Sequence, residues 1–160
     1  MNVIHDALAE QPFFEGFSDR ELERLSRCAR RSMFHPGTRL FDEGGRADRF
    51  WLIQRGAVRL YVTVPGRGDV AVETLTPQAV LGWSWLFGPH RWRFGGVAGT
   101  PVRAIEFDGR LVRTLGAVDP SMGYELTRRF AGLVVDRLEA TQARLMELSG
   151  TARGNGALSA

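Results

Sequence analysis

The sequence predicts a mainly β fold with flanking helices: an all-β sandwich or barrel followed by a long C-terminal helix. Three observations carry this expectation. Between Arg31 and Phe107, short apolar or alternating runs are separated by Gly, Pro and Asp, as in hairpin-connected strands. Outside that stretch the apolar residues recur at helical spacing. The 160 residues, 44% hydrophobic and 24% charged, fit one globular domain. A chain of this size buries about two-thirds of its unfolded surface and needs no disulfide or metal staple.

The first helix is expected over residues 19–29. Ser18 is its candidate N-cap, and Glu21 three residues on completes a capping box. Phe17 precedes the cap, and Leu22 and Leu25 follow at helical spacing. The strand region comes next. Phe50-Trp51-Leu52-Ile53 runs to Gly56, and Val58, Leu60 and Val62 then alternate with polar neighbours. Pro65 to Asp69 form a turn, after which Val70, Val72 and Thr74 alternate again. A second strand set spans about 97–107 through Val102, Ala104 and Ile105. Arg110 to Leu115 read as a short helix. Asp119 then caps a long one, with Pro120 in the first turn, where proline is tolerated. That helix is expected to end near Leu148, and the Gly/Ala/Ser-rich residues 149–160 read as a disordered tail. Val134, Leu138, Thr141, Leu145 and Leu148 follow a 4-3-4-3 step. Such a stripe suits either a partner helix, giving a homodimer through residues 119–148, or packing on the β core.

Charge and composition exclude several classes. All 21 basic residues are Arg, a composition that arginine codon bias explains, and they are scattered among 18 acidic ones. A nucleic-acid surface would gather them on one face. No apolar run approaches the roughly 18 residues of a membrane helix, and the N-terminus lacks a signal-peptide pattern. Cys28 is the sole cysteine, which points to an intracellular, cytoplasmic chain and to a small buried thiol. His5, His35 and His90 have no metal-ligand spacing, and His90 reads as a solvated loop residue. Ser84 lacks the glycines of a hydrolase elbow, and no glycine-rich loop has P-loop spacing. No catalytic residue and no metal site is expected, and the chain reads as a non-enzyme.

The most informative stretch runs from Pro36-Gly37-Thr38-Arg39-Leu40-Phe41-Asp42-Glu43-Gly44-Gly45 through Phe50-Trp51-Leu52-Ile53-Gln54-Arg55-Gly56 to Tyr61. It is strand, glycine turn, strand, glycine turn, strand. Its spacing resembles the first half of the β-roll in cyclic-nucleotide-binding domains, as in the catabolite activator and protein kinase A regulatory families. The resemblance covers about residues 13–148. It implies a double-stranded β-helix (a jelly-roll or cupin-like β-roll, residues 31–107), with helices over 108–148 completing one domain from residue 1 to 148.

The family binds its ligand in a phosphate-binding cassette: a Gly-Glu turn, a short helix, and an Arg near small residues. The Glu accepts from the ribose hydroxyl, while the helix N-terminus and the Arg neutralise the cyclic phosphate. Here the matching stretch is Val80 to Val97, and the implied ligand-binding residues are Leu81, Gly82, Trp83, Ser84, Trp85, Arg91 and Arg93. Gly82 is in place, but Trp83 stands at the position of the Glu. Without a gap, Trp92 aligns with the phosphate-binding Arg; with one residue deleted downstream, Arg93 does. Three readings of the tryptophans follow. They pack an empty cassette, they form an aromatic pocket that stacks a base or another planar ligand, or Arg93 and the free amides after Gly82 recognise an ordinary cyclic nucleotide, cyclic AMP or cyclic GMP. On the long helix, Thr141-Gln142 resembles the polar pair that reaches the base in relatives.

The resemblance implies a regulatory sensor that passes its signal to a dimer mate or to a separate protein partner. A ligandless interaction or scaffold protein and a trans-acting cofactor of transcription regulators are the alternatives. Residues 149–160 are too few for the helix-turn-helix module of the family's transcription factors, so no direct DNA binding is expected.

Overall fold

A computed structural model describes residues 3–158. They form helices α1 (Val3–Ala9), α2 (Asp19–Ser26), α3 (Gly109–Val118) and α4 (Pro120–Leu158), with a 3-10 turn at Pro12–Phe14. Eight strands lie between α2 and α3: β1 (Ala29–Phe34), β2 (Arg39–Phe41), β3 (Arg49–Arg55), β4 (Val58–Val64), β5 (Gly68–Leu75), β6 (Val80–Leu81), β7 (Gly95–Ala98) and β8 (Val102–Asp108). They make two four-stranded sheets, ordered β1-β8-β3-β6 and β2-β7-β4-β5. Every pairing is antiparallel. The chain passes repeatedly from one sheet to the other, the pattern of a β-roll.

Side-chain alternation explains how the roll closes. From the β3 run, Trp51 and Ile53 join Phe41, Val58, Leu60, Leu81 and Trp92 in the core of the roll. Phe50 instead stacks on Phe107 at 4.4 Å, and Phe14 approaches Phe107 at 6.0 Å. Both sets are buried, which is why β3 reads as a continuous apolar run rather than an alternating one. Gly56, at φ +86°, turns the chain from β3 into β4, and a Cβ there would meet the Pro101 carbonyl oxygen at 2.1 Å. No other residue type fits that turn.

The helix termini follow the capping rules. Ser18 Oγ accepts from the Glu21 N–H at 3.1 Å while Glu21 Oε1 accepts from the Ser18 N–H at 3.0 Å. Asp108 caps α3 through Arg110 and Leu111, and an Asp119 carboxylate oxygen accepts from the Met122 N–H at the start of α4.

Three boundaries differ from the sequence expectation. The first helix stops at Ser26 rather than residue 29, because Ala29 and Arg30 pair with Phe107 and Glu106 of β8. Cys28 therefore sits after the helix and is half-buried. Helix α1 was not foreseen; it contributes the fully buried Leu8. Helix α4 continues to Leu158, past Leu148 and through most of the expected tail, since no proline follows Pro120 to stop it. Residues 159–160 of that tail lie outside the described residues.

The chain divides into two compact units, residues 1–124 and 125–160. The first holds the β-roll and α1 to α3. The second is a helical segment in which Glu125 accepts from Arg128 and Arg129, and Leu138, Leu145 and Leu148 are 56%, 59% and 66% exposed. No helix among the described residues is long and apolar enough to cross a membrane.

Candidate functional site

The cassette is hung between two strands. β6 delivers Val80 and Leu81 into the core beside β3, with Leu81 opposite Trp51. Gly82 then turns at φ +100°, and a Cβ on it would press on the Trp92 ring at 2.9 Å. The indole of Trp92 thus needs a glycine beneath it. The next segment is a single turn, closed by the Leu86 N–H donating to the Trp83 carbonyl at 3.1 Å. A second turn, through a cis Gly88-Pro89 bond, is closed by the His90 N–H on the Phe87 carbonyl.

Residues 90–92 are laced to the glycine turn of residues 44–47. The Ala47 N–H donates to the His90 carbonyl, the Trp92 N–H to Gly45, and the Gly44 N–H to Trp92, all at 2.8 to 2.9 Å. This lacing sets the direction of each side chain. Trp92 turns inward and stacks on Phe41 at 4.1 Å and Trp51 at 5.9 Å. Arg91 is exposed and donates to the Gly44 carbonyl at 3.3 Å. Arg93 turns back onto the cassette, where its guanidinium lies 4.9 Å from the centre of the Trp83 ring and donates to Ser84 Oγ at 3.2 Å. His90 is half-buried rather than solvated, with Nδ1 shielded from water.

The three cassette tryptophans therefore occupy different environments. Trp92 and Trp85 are core residues, Trp85 stacking on Phe50 at 4.8 Å. Trp83 is only partly buried, touched at its edges by Phe87 and Phe94 and covered by Arg93. Its indole nitrogen is shielded from water and has no hydrogen-bond partner among the described residues. Ser84 is buried, so the oxygen that anchors Arg93 is itself fixed.

Sequence reasoning missed Arg113. From α3 it donates a hydrogen bond to the Trp85 carbonyl, tying that helix to the cassette turn. No local signal marks it, because its partner is a backbone oxygen 28 residues earlier. Thr141 and Gln142 are exposed on α4, and Thr141 Oγ1 bonds back to the Arg137 carbonyl at 2.9 Å. They belong to the second unit.

Outside the cassette, a cavity of about 310 Å³ opens beside β1, β8 and α3, lined by Arg27, Arg30, Arg49 and Arg110 with Glu106 and Asp108. Two of these arginines serve a buried carboxylate. Glu106 accepts from Arg30 at 2.6 Å and from the Trp51 indole at 2.9 Å, with Arg49 at 3.6 Å. Such a carboxylate is tolerated in the interior because its lone pairs are met.

The comparisons with known proteins agree with this architecture. The chain is 30% identical over 146 residues to "Glutaminase 1" of Bradyrhizobium diazoefficiens, covering 90% of this chain and 23% of that protein. It is 24% identical to a "CRP-like cAMP-activated global transcriptional regulator" of Mycobacterium tuberculosis, covering 91% of this chain and 63% of that one. The chain thus spans less than two-thirds of either curated relative. A solved cyclic nucleotide-binding domain from Methylobacillus flagellatus shares the fold at a TM-score of 0.76, with 20% identity over 89% of this chain and 80% of that one. The sequence profile of the cyclic nucleotide-binding domain matches residues 31–118, which run from β1 through the roll and cassette to the end of α3. With more than half of its length matched and a β-roll built around the cassette, this chain belongs to the cyclic nucleotide-binding domain family.

Proposed function

We propose that this chain is a non-enzymatic regulatory sensor in which the cassette of residues 82–97 holds a small anionic ligand of the cyclic nucleotide type. The observation that carries this reading is Arg93. Its guanidinium is held against Trp83 and Ser84, and among the described residues no carboxylate lies within ion-pair distance of it. Arg93 is exposed to solvent, and a cation without a carboxylate partner is open to an anion. The relative from Mycobacterium tuberculosis, named for activation by cAMP, supports a cyclic nucleotide as the class to test. Catalysis has little to stand on here. The one buried cassette hydroxyl, Ser84, accepts from a cation rather than facing a base.

The output passes through residues 119–148 in this reading. Leu138, Leu145 and Leu148 leave an apolar stripe that fits a second copy of the same helix. A separate regulated protein is the other receiver. The module acts in the cytoplasm in this reading.

The test is isothermal titration of the purified chain with cyclic AMP and cyclic GMP beside Arg93→Ala. A charge-assisted hydrogen bond is worth about 1.5–3 kcal/mol, so removing Arg93 weakens binding roughly ten- to hundredfold. A second reading, a ligandless scaffold, draws on the same contact, with Arg93 and Trp83 packed on each other in place of a ligand. No heat from either nucleotide at millimolar concentration would favour the scaffold.

A further inference from the structure

We infer that the cassette reads its ligand as an oxyanion alone and gives no grip on a ligand hydroxyl, an inference that rests on the sensor reading above. The groups gathered around Arg93 are donors. The guanidinium lies over Trp83, and the indole carries no acceptor. Ser84 Oγ already accepts from Arg93 and is buried.

Carboxylate and amide side-chain acceptors are missing from the segment itself. Residues 80–97 contain no Asp, Glu, Asn or Gln. The nearest acidic residues along the laced glycine turn are occupied elsewhere. Asp42 accepts from Arg39 at 3.1 Å, and Glu43 accepts from the Thr63 N–H at 2.8 Å. Asp48 faces Arg49 at 3.9 Å. A phosphate would find the charge and the N–H donors of Arg93; a sugar hydroxyl, which must donate to be held strongly, would find no charged acceptor. The ligand class is therefore a phosphate ester recognised through its charge, with the sugar hydroxyl unread.

The deciding measurement compares cyclic AMP with 2′-deoxy cyclic AMP on the unaltered chain by isothermal titration. The two differ by one hydroxyl. The expected result is equal affinity within about twofold, where a charged acceptor would favour the ribose form by about tenfold or more. Trp83→Glu is expected to restore that preference, and Arg93→Gln to weaken both ligands together. A tenfold preference for the ribose form in the unaltered chain overturns this inference and leaves the sensor reading standing. Silence from both nucleotides at millimolar concentration overturns the sensor reading and this inference together.

Discussion

Truncating the cassette tryptophans one at a time separates a core plug from a platform. Trp92→Ala removes an indole that is 5% exposed and stacked on two aromatic rings. The surrounding strands cannot collapse into the space, because Phe41 and Trp51 are held in opposite sheets. The expected loss is about 3–5 kcal/mol, a large share of the 5–15 typical of a domain. Trp83→Ala removes a ring that is only partly buried, and with it one cation–π contact. Half of a side chain's burial is worth about 1 kcal/mol and the cation–π contact about 0.5–1, so the loss is about 1–2 kcal/mol. Urea denaturation of both variants at equal ionic strength measures the difference, provided the slope is unchanged. A Trp83→Ala loss as large as that of Trp92→Ala would refute the reasoning. Trp83 would then be a structural plug, as the scaffold reading requires.

Three further outcomes follow from side chains outside the cassette. Glu106→Ala leaves the buried Trp51 N–H without its acceptor and should cost about 1–3 kcal/mol in the same denaturation assay. The Cys28 thiol is pushed above its ordinary value of 9.0, first by burial and then by Asp108. Less than about 1% is thiolate at pH 7, so a disulfide reagent should label it slowly in the folded chain and quickly in denaturant. The Glu125 carboxyl is held below its ordinary value of 4.5, first by its hydrogen bond from Arg128 and then by that from Arg129. Its contribution is complete above pH 4.5 and is lost as the pH falls through the depressed folded value. Melting curves between pH 3 and 6 should show that loss in the native chain and a smaller one in Glu125→Gln.

Much of the fold was legible because it is encoded locally. The Ser18–Glu21 box, the alternation of Val58, Leu60 and Val62, and the Asp119-Pro120 start of α4 each depend on neighbours within a few residues. The end of α2 was not legible, since Ala29 is drawn into β1 by residues nearly eighty positions later in β8. The directions of Arg91, Trp92 and Arg93 were hidden for the same reason. A run of Arg-Trp-Arg states that neighbours alternate; it does not state which one faces the core. That choice is made by the hydrogen bonds between residues 44–47 and 90–92, a pairing set across the roll.

The exchange at residue 83 has a physical consequence of its own. A glutamate beside Arg93 would orient the guanidinium and also occupy its donors, because an arginine and a carboxylate pair through parallel N–H bonds. A tryptophan orients it through the ring face instead and takes none of the N–H groups. Ser84 uses one. The rest of the fork stays available, and the charge is held in place without being neutralised. In the proposed sensor, the indole that stands in place of the expected hydroxyl acceptor thus also leaves the cation open to an anion.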